Sequence, residues 1–342
     1  MGFAYPALRQ GATPGAAWEV SEASGRLARG LDEVLEHAFA PEAGQGETRA
    51  LVAVQGGRLL LERYAKGMDA ETPHASWSMA KSVLHAVYGL LTRDQRVKLD
   101  APADVPSWRA PDDARRAITP EQLLRMRSGL AFRERYEEGE DSDVVSMLFG
   151  PGQADTAGYA AGLPLAAPPG TVFSYSSGTS NILSALAARA LGVDAEGYGA
   201  FLERELFGPL GMRSAEPRFD EAGTWIASSF LWATARDFAR FGLLYLRDGV
   251  WNGRRILPAG WVDHARRPTS LDPESDLGYG AHWWLMPGEL GILRANGYNG
   301  QRILVVPPLD LVLVRLGATP AEQAPALDAF CMRLLEIIAA AA

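Results

Sequence analysis

The apolar residues of this 342-residue chain change their spacing twice, and that change limits the folds open to it. Residues 26–39 carry apolar positions at helical spacing. Residues 51–55 and 58–64 then read as two strands joined by a Gly56-Gly57 hairpin turn. From Ser78 the period lengthens. Val83, Leu84, Val87, Leu90 and Leu91 form a stripe on one face of a helix packed on a core. Thr119-Pro120-Glu121-Gln122 is a capping box with proline in the first turn, and it opens a short helix through Met126. Further helices are predicted over 179–191, 197–206 and 235–247, and another from Pro258. Strands return at 282–286, 292–295, 302–306 and 311–316 in the pattern of an antiparallel meander, and 327–341 reads as a closing helix.

A sheet drawn from both parts of the chain, with helices between, implies a discontinuous domain. The expected class is α+β: an antiparallel sheet flanked by N- and C-terminal helices, with an inserted all-α domain. Residues 1–77 and 275–342 are expected to form the sheet domain and 78–274 the helical one. Ligand sites favour such interfaces.

Charge and cysteine usage exclude several partners. Lys+Arg 33 against Asp+Glu 41 gives a net charge of −8, which offers no general attraction to nucleic acid or anionic lipid. The single cysteine, Cys331, cannot form an intrachain disulfide. No basic segment followed by an apolar run opens the chain, and no stretch approaches the roughly 20 apolar residues of a membrane span. A cytoplasmic protein is expected, or an exported one after loss of its leader. Nucleotide-binding glycine fingerprints and G-x-S-x-G are absent. The five histidines and lone cysteine show no zinc-ligand spacing, so no metal or cofactor is expected. A homodimer stays open.

What remains is Ser78-Met79-Ala80-Lys81. Three residues apart at a helix start, Ser78 and Lys81 share a face. The positive helix end stabilises charge developing on the serine oxygen and disfavours an ammonium, moving Lys81 toward the neutral form that a base requires. Lysine is rare here, with Lys66, Lys81 and Lys98 alone, and chance would supply such a motif about 0.17 times in a chain of this composition. A second element runs from Pro168 to Ser177, where Tyr175 sits in a Gly/Ser-rich turn before a helix and is able to face a cleft. A third is Ala295-Asn296-Gly297-Tyr298-Asn299-Gly300-Gln301, a strand whose glycine permits close backbone approach and whose N–H groups suit an oxyanion hole.

In this order and spacing the three elements resemble the serine β-lactamase and penicillin-recognising superfamily, nearest its class C-related esterases and amidases. The resemblance runs from about Leu51 to Leu316 and includes the stretches 231–242 and 250–258. It implies a β-lactamase-like fold and a set of roles. Ser78 is then the acylated nucleophile, Lys81 the adjacent base or proton shuttle, and Tyr175 the tyrosine completing the relay. The N–H groups of Ser78 and Tyr298 form the oxyanion hole, and Ser177, Asn296, Gly297 and Asn299 border the substrate. The segment 130–137 resembles the 6-aminohexanoate-dimer hydrolase branch, nylon-oligomer amidases with esterase activity, where a loop tyrosine bonds the scissile amide. Tyr136 matches it. Core packing is the default for Trp77, Trp232, Trp283 and Trp284, which otherwise border the cleft.

Two departures bear on substrate. The usual Y-x-N triplet ends here in Ser177, and the usual basic residue of the third motif is Ala295. β-Lactam-handling relatives use that basic residue for the substrate carboxylate. The expected partner is therefore a small-molecule ester or amide rather than a penicillin. A β-lactamase or D-amino-acid peptidase is the rival in chemistry. A binding or sensor protein on the same fold is the rival of another class.

Overall fold

The computed structural model describes residues 2–21, 25–40, 44–136, 141–273 and 275–340. Glu137 of the acidic segment and Ala341 at the expected helix end lie outside them. After helix α1 (Gly25–Ala38), β1 (Glu47–Gln55) and β2 (Arg58–Tyr64) form the expected hairpin. Its two-residue turn requires positive φ at both positions, supplied by Gly56 at +60° and Gly57 at +82°. Helix α2 (Met79–Arg93) follows, then α3 (Ser177–Leu191) and α4 (Ala235–Leu246). The main sheet resumes with β3 (Ser270–Leu271), β4 (Gly278–Tyr279), β5 (Trp284–Leu285), β6 (Leu293–Gly297), β7 (Gln301–Val306) and β8 (Leu311–Ala318). Helix α5 (Ala324–Ala339) closes the described chain.

The eight strands pair antiparallel in the order β2-β1-β8-β7-β6-β5-β4-β3. The early hairpin thus docks beside the last strand, with Val52 opposite Val314. Successive side chains of a strand point to opposite faces. Val52, Val54, Ile303, Val305, Val312 and Val314 accordingly join the core that contains α2 and α4. Leu51, Ala53, Leu304, Val306, Leu311 and Leu313 join a second core under α1 and α5. Both faces are buried, so the central strands read as nearly continuous apolar runs. β3 and β4 escaped the sequence reading because two residues carry no period, and β5 is shorter than the predicted 282–286.

Helix α2 departs from its sequence pattern. Its apolar stripe is buried as predicted, but so is nearly every other residue from Met79 to Leu91. Between Met79 and Leu91 its buried polar side chains include Ser82, which donates to the His282 carbonyl at 2.7 Å, and Tyr88, which donates to that of Leu183 at 2.9 Å. A buried polar group costs little once bonded, so this central helix needs no solvent face. The capping box at Thr119 forms as expected and starts a helix, Pro120–Leu124. Among the described residues no helix is long and apolar enough to cross a membrane.

Candidate active site

The short strand Pro73–Ala75 pairs with Leu231–Thr234 and delivers the chain to α2. Between them Trp77 has φ of +46°. A bulky residue in that region costs about 1–3 kcal/mol and persists where its surroundings fix it. Its ring is held against Phe230 at 5.8 Å and Tyr298 at 5.4 Å between centroids. The turn sets Ser78 at the N-cap of α2, yet its side chain makes no capping bond. Ser78 Oγ instead accepts from Lys81 Nζ at 2.9 Å.

Lys81 is 2% exposed. Its Nζ also donates to Ser177 Oγ at 3.0 Å and to the Ser228 carbonyl at 2.9 Å, so its three donors have three acceptors. Burial brings its pKa down to about 8, against an opposing pull from the Glu134 carboxylate. The sequence reading looked to the helix end for this shift; desolvation is the main cause. Tyr175 lays its ring 4.9 Å from Lys81 Nζ and interacts with the Ser78 side chain. Burial holds its phenol well above the ordinary value, so Tyr175 is a proton donor rather than a phenolate. Trp284, 5.3 Å away, packs against it. Behind Lys81, His282 bonds Ser180 Oγ at 3.0 Å and the Leu124 carbonyl at 2.9 Å, and burial lowers its pKa to about 3.

Glu134 is the residue that sequence reasoning missed. Its carboxylate accepts from the Ser177 N–H at 2.7 Å, from the Ser177 hydroxyl at 2.6 Å and from the Tyr136 hydroxyl at 2.6 Å. A continuous chain of hydrogen bonds therefore runs Lys81–Ser177–Glu134–Tyr136. The one sequence signal was a carboxylate two residues before the singled-out tyrosine, set between Arg133 and Arg135, where it reads as an ordinary surface charge. Tyr136 is 45% exposed, and its ring lies 5.0 Å from that of Tyr298.

Strand β6 completes the site. A Cβ at Gly297 would come within 2.3 Å of the Ser76 carbonyl oxygen, so only glycine lets this strand end lie against the segment leading to Ser78. Tyr298 and Asn299 follow, the latter at φ +57°. Gly297, Tyr298 and Asn299 line a cavity of about 1170 Å³, together with Glu134, Tyr136 and Tyr175. Asn296 is not brought there. It accepts a hydrogen bond from Arg294, which also pairs with Asp328 of α5 at 2.9 Å, because strand alternation turns it to the α5 face. Ala295, on the other face, is 1% exposed within the core that contains α2. Of the four tryptophans, Trp284 lines the cavity, Trp77 backs Tyr298, Trp283 is fully buried and Trp232 packs at a tilt against Phe230.

Similarity to known proteins matches this geometry. Residues 35–330 match the family model described as Beta-lactamase. A 6-aminohexanoate-dimer hydrolase from Paenarthrobacter ureafaciens is 28% identical over 295 residues, covering 80% of this chain and 73% of that protein. A Bacillus anthracis structure described as a candidate 6-aminohexanoate-dimer hydrolase superposes with a TM-score of 0.76 at 25% identity, covering 90% of this chain and 81% of the other. A penicillin-binding protein homologue from Caulobacter crescentus shares the fold at a TM-score of 0.70 and 18% identity, covering 94% and 99%.

Proposed function

Because the chain belongs to the beta-lactamase family, we propose that it is a serine hydrolase that cleaves ester or amide bonds through an acyl-enzyme on Ser78. One observation carries this reading: the nearly fully buried Lys81 Nζ stands 2.9 Å from Ser78 Oγ, with its pKa lowered to about 8. Neutral Lys81 takes the Ser78 proton as Oγ attacks the carbonyl carbon. The N–H groups of Ser78 and Tyr298 receive the developing oxyanion. Tyr175, held in its protonated form, passes a proton to the departing nitrogen or oxygen. Water then enters, and the same groups run the sequence in reverse to release the acid.

The substrate reading is a small ester or a linear amide of the 6-aminohexanoate-dimer type. The relative of that name supports it, as does Tyr136 at the cavity wall. A β-lactamase reading is less favoured, because Ala295 offers no charge to a substrate carboxylate. The test is p-nitrophenyl butyrate hydrolysis followed through many turnovers, with intact-mass detection of the acylated protein. Sustained turnover supports an enzyme; a single acylation without release would favour a sensor.

A further inference from the structure

The hydrogen bonds around Lys81 raise a difficulty that the reaction must solve. Drawn as an ammonium, Lys81 donates to Ser78 Oγ and has no lone pair to take the serine proton. Lys81 is buried, so direct loss of a proton to bulk water is obstructed. Among the described residues, one carboxylate is bonded to Lys81 through a single hydroxyl. Ser177, fully buried, accepts from Lys81 Nζ at 3.0 Å and donates to Glu134 Oε1 at 2.6 Å.

We propose that Glu134 takes up the Lys81 proton through the Ser177 hydroxyl, so that Lys81 serves as a base even where its ammonium form prevails. The step balances. An N–H bond of Lys81 breaks as an O–H bond forms on Ser177, while the Ser177 hydroxyl proton passes to Glu134 Oε1. An ammonium–carboxylate pair becomes an amine–carboxylic acid pair with no change in total charge or proton count. A rotation about Cε–Nζ then turns the amine lone pair to Ser78. Burial of Lys81 disfavours its ammonium form and so favours release of the proton along this path. An amide side chain in place of Ser177 would hold Lys81 but relay no proton in this way. The serine that departs from the family triplet is thus the residue that permits the hop.

The surrounding groups do not compete for the proton. Burial keeps Tyr175 and Tyr279 protonated, desolvation of its hydroxyl together with the Glu134 carboxylate does the same for the partly exposed Tyr136, and His282 stays neutral down to about pH 3. Arg133, next to Glu134 in sequence, pairs with Asp141 and Asp143. Glu134 bonds Ser177 and Tyr136, so it acts on Ser78 only through Ser177 and Lys81.

The relay rests on the serine-hydrolase reading, and its signature is in pH dependence. The hopped pair holds as many protons as the ion pair, so its contribution does not fall with pH below the Lys81 pKa. The readout is the rate of fluorophosphonate labelling of Ser78, measured by intact mass from about pH 6 to about pH 9. In wild type the rate levels off below about pH 8. In Ser177→Ala, which keeps the Glu134 carboxylate, it falls about tenfold per pH unit, ending about 100-fold below wild type near pH 6 but within about tenfold near pH 9; Glu134→Gln, which also removes the carboxylate's upward pull on Lys81, falls below wild type near pH 6 by a smaller factor. A carboxylate that merely stabilises the ammonium predicts the opposite sign: Glu134→Gln would label faster than wild type near pH 6. That result, or a Ser177→Ala profile parallel to wild type, overturns the relay. Ser177→Ala removes one oxygen from a helix first turn, so it carries the test even if Glu134→Gln folds poorly. Wild type that fails to label at Ser78 overturns the hydrolase reading and the relay together. Wild type that labels, with Ser177→Ala parallel to it, overturns the relay alone.

Discussion

Gly297 lies so close to Ser76 that a methyl group on its Cα would stand 2.3 Å from the Ser76 carbonyl oxygen. No real Cβ tolerates that distance, so Gly297→Ala must push β6 away from the segment that leads to Ser78. The Tyr298 N–H moves with it. Losing one oxyanion donor costs about 100-fold or more in kcat. The expected outcome is a loss of that size in ester turnover together with a lowered melting temperature. Native activity in Gly297→Ala would rule out the Tyr298 N–H as a donor fixed by this contact.

Ser78→Ala separates chemistry from folding. Ser78 Oγ makes no capping bond, so its removal is expected to change stability by less than about 1 kcal/mol. Turnover of an activated ester should fall by about 1000-fold or more, because no acyl intermediate forms. Steady-state kinetics and thermal unfolding on the same preparation check both halves.

Lys81 also links stability to pH. Burial holds it near 8, below its ordinary value of about 10.5. Between those values the unfolded chain binds a proton that the folded protein does not, so this group's contribution to stability rises as pH rises through the window. Lys81→Met removes that slope. The stability of the variant relative to wild type should be greatest below about pH 8 and decline toward pH 10.5, by up to about 3 kcal/mol. Urea unfolding of both proteins across the window measures it, and a pH-independent difference would contradict a depressed Lys81.

Tyr136→Phe tests amide specificity. The ring that packs against Tyr298 is kept, while the hydroxyl bonded to Glu134 is lost. An amide nitrogen must be protonated as it leaves, whereas an activated ester's leaving group needs no such help. The variant is expected to lose about tenfold in kcat/KM on an amide, about 1.4 kcal/mol, with little change on the matched activated ester. Equal losses on the two substrates would reduce Tyr136 to general binding.

Ala295 makes a prediction about β-lactams. With no cationic side chain at that position, nitrocefin hydrolysis should be far less efficient than p-nitrophenyl butyrate hydrolysis. Comparable kcat/KM values would reverse the substrate reading.

The parts of this architecture that were legible in the sequence were those written in local spacing. The Gly56-Gly57 hairpin, the Thr119 capping box and the pairing of Ser78 with Lys81 each follow from residues at most four positions apart. Glu134 was illegible because its partner Ser177 lies 43 residues away, and only the packing of the loop against α3 joins them. Asn296 shows a different failure. Its motif position suggested the cleft, but it shares a face with Arg294 two residues earlier, and that periodicity was readable. The all-round burial of α2 was invisible for a third reason: its polar residues are satisfied by distant carbonyls that no local pattern announces.

The pairing of β1 with β8 has a consequence for how the protein is made. Glu47–Gln55 finds its second neighbour in Leu311–Ala318, across more than 250 intervening residues. During synthesis β1 therefore waits, its edge unpaired and its apolar face uncovered, until most of the described chain has emerged. Such non-local pairing is slow, and exposed apolar strand edges promote aggregation. The hairpin with β2 protects one edge in the interval and leaves the other open. Ser76 and Trp77 meet Gly297 and Tyr298 at the same late stage. On the proposed serine-hydrolase reading, a nascent chain would carry Ser78 early and gain β6 almost last, and is expected to stay inactive until folding is nearly finished.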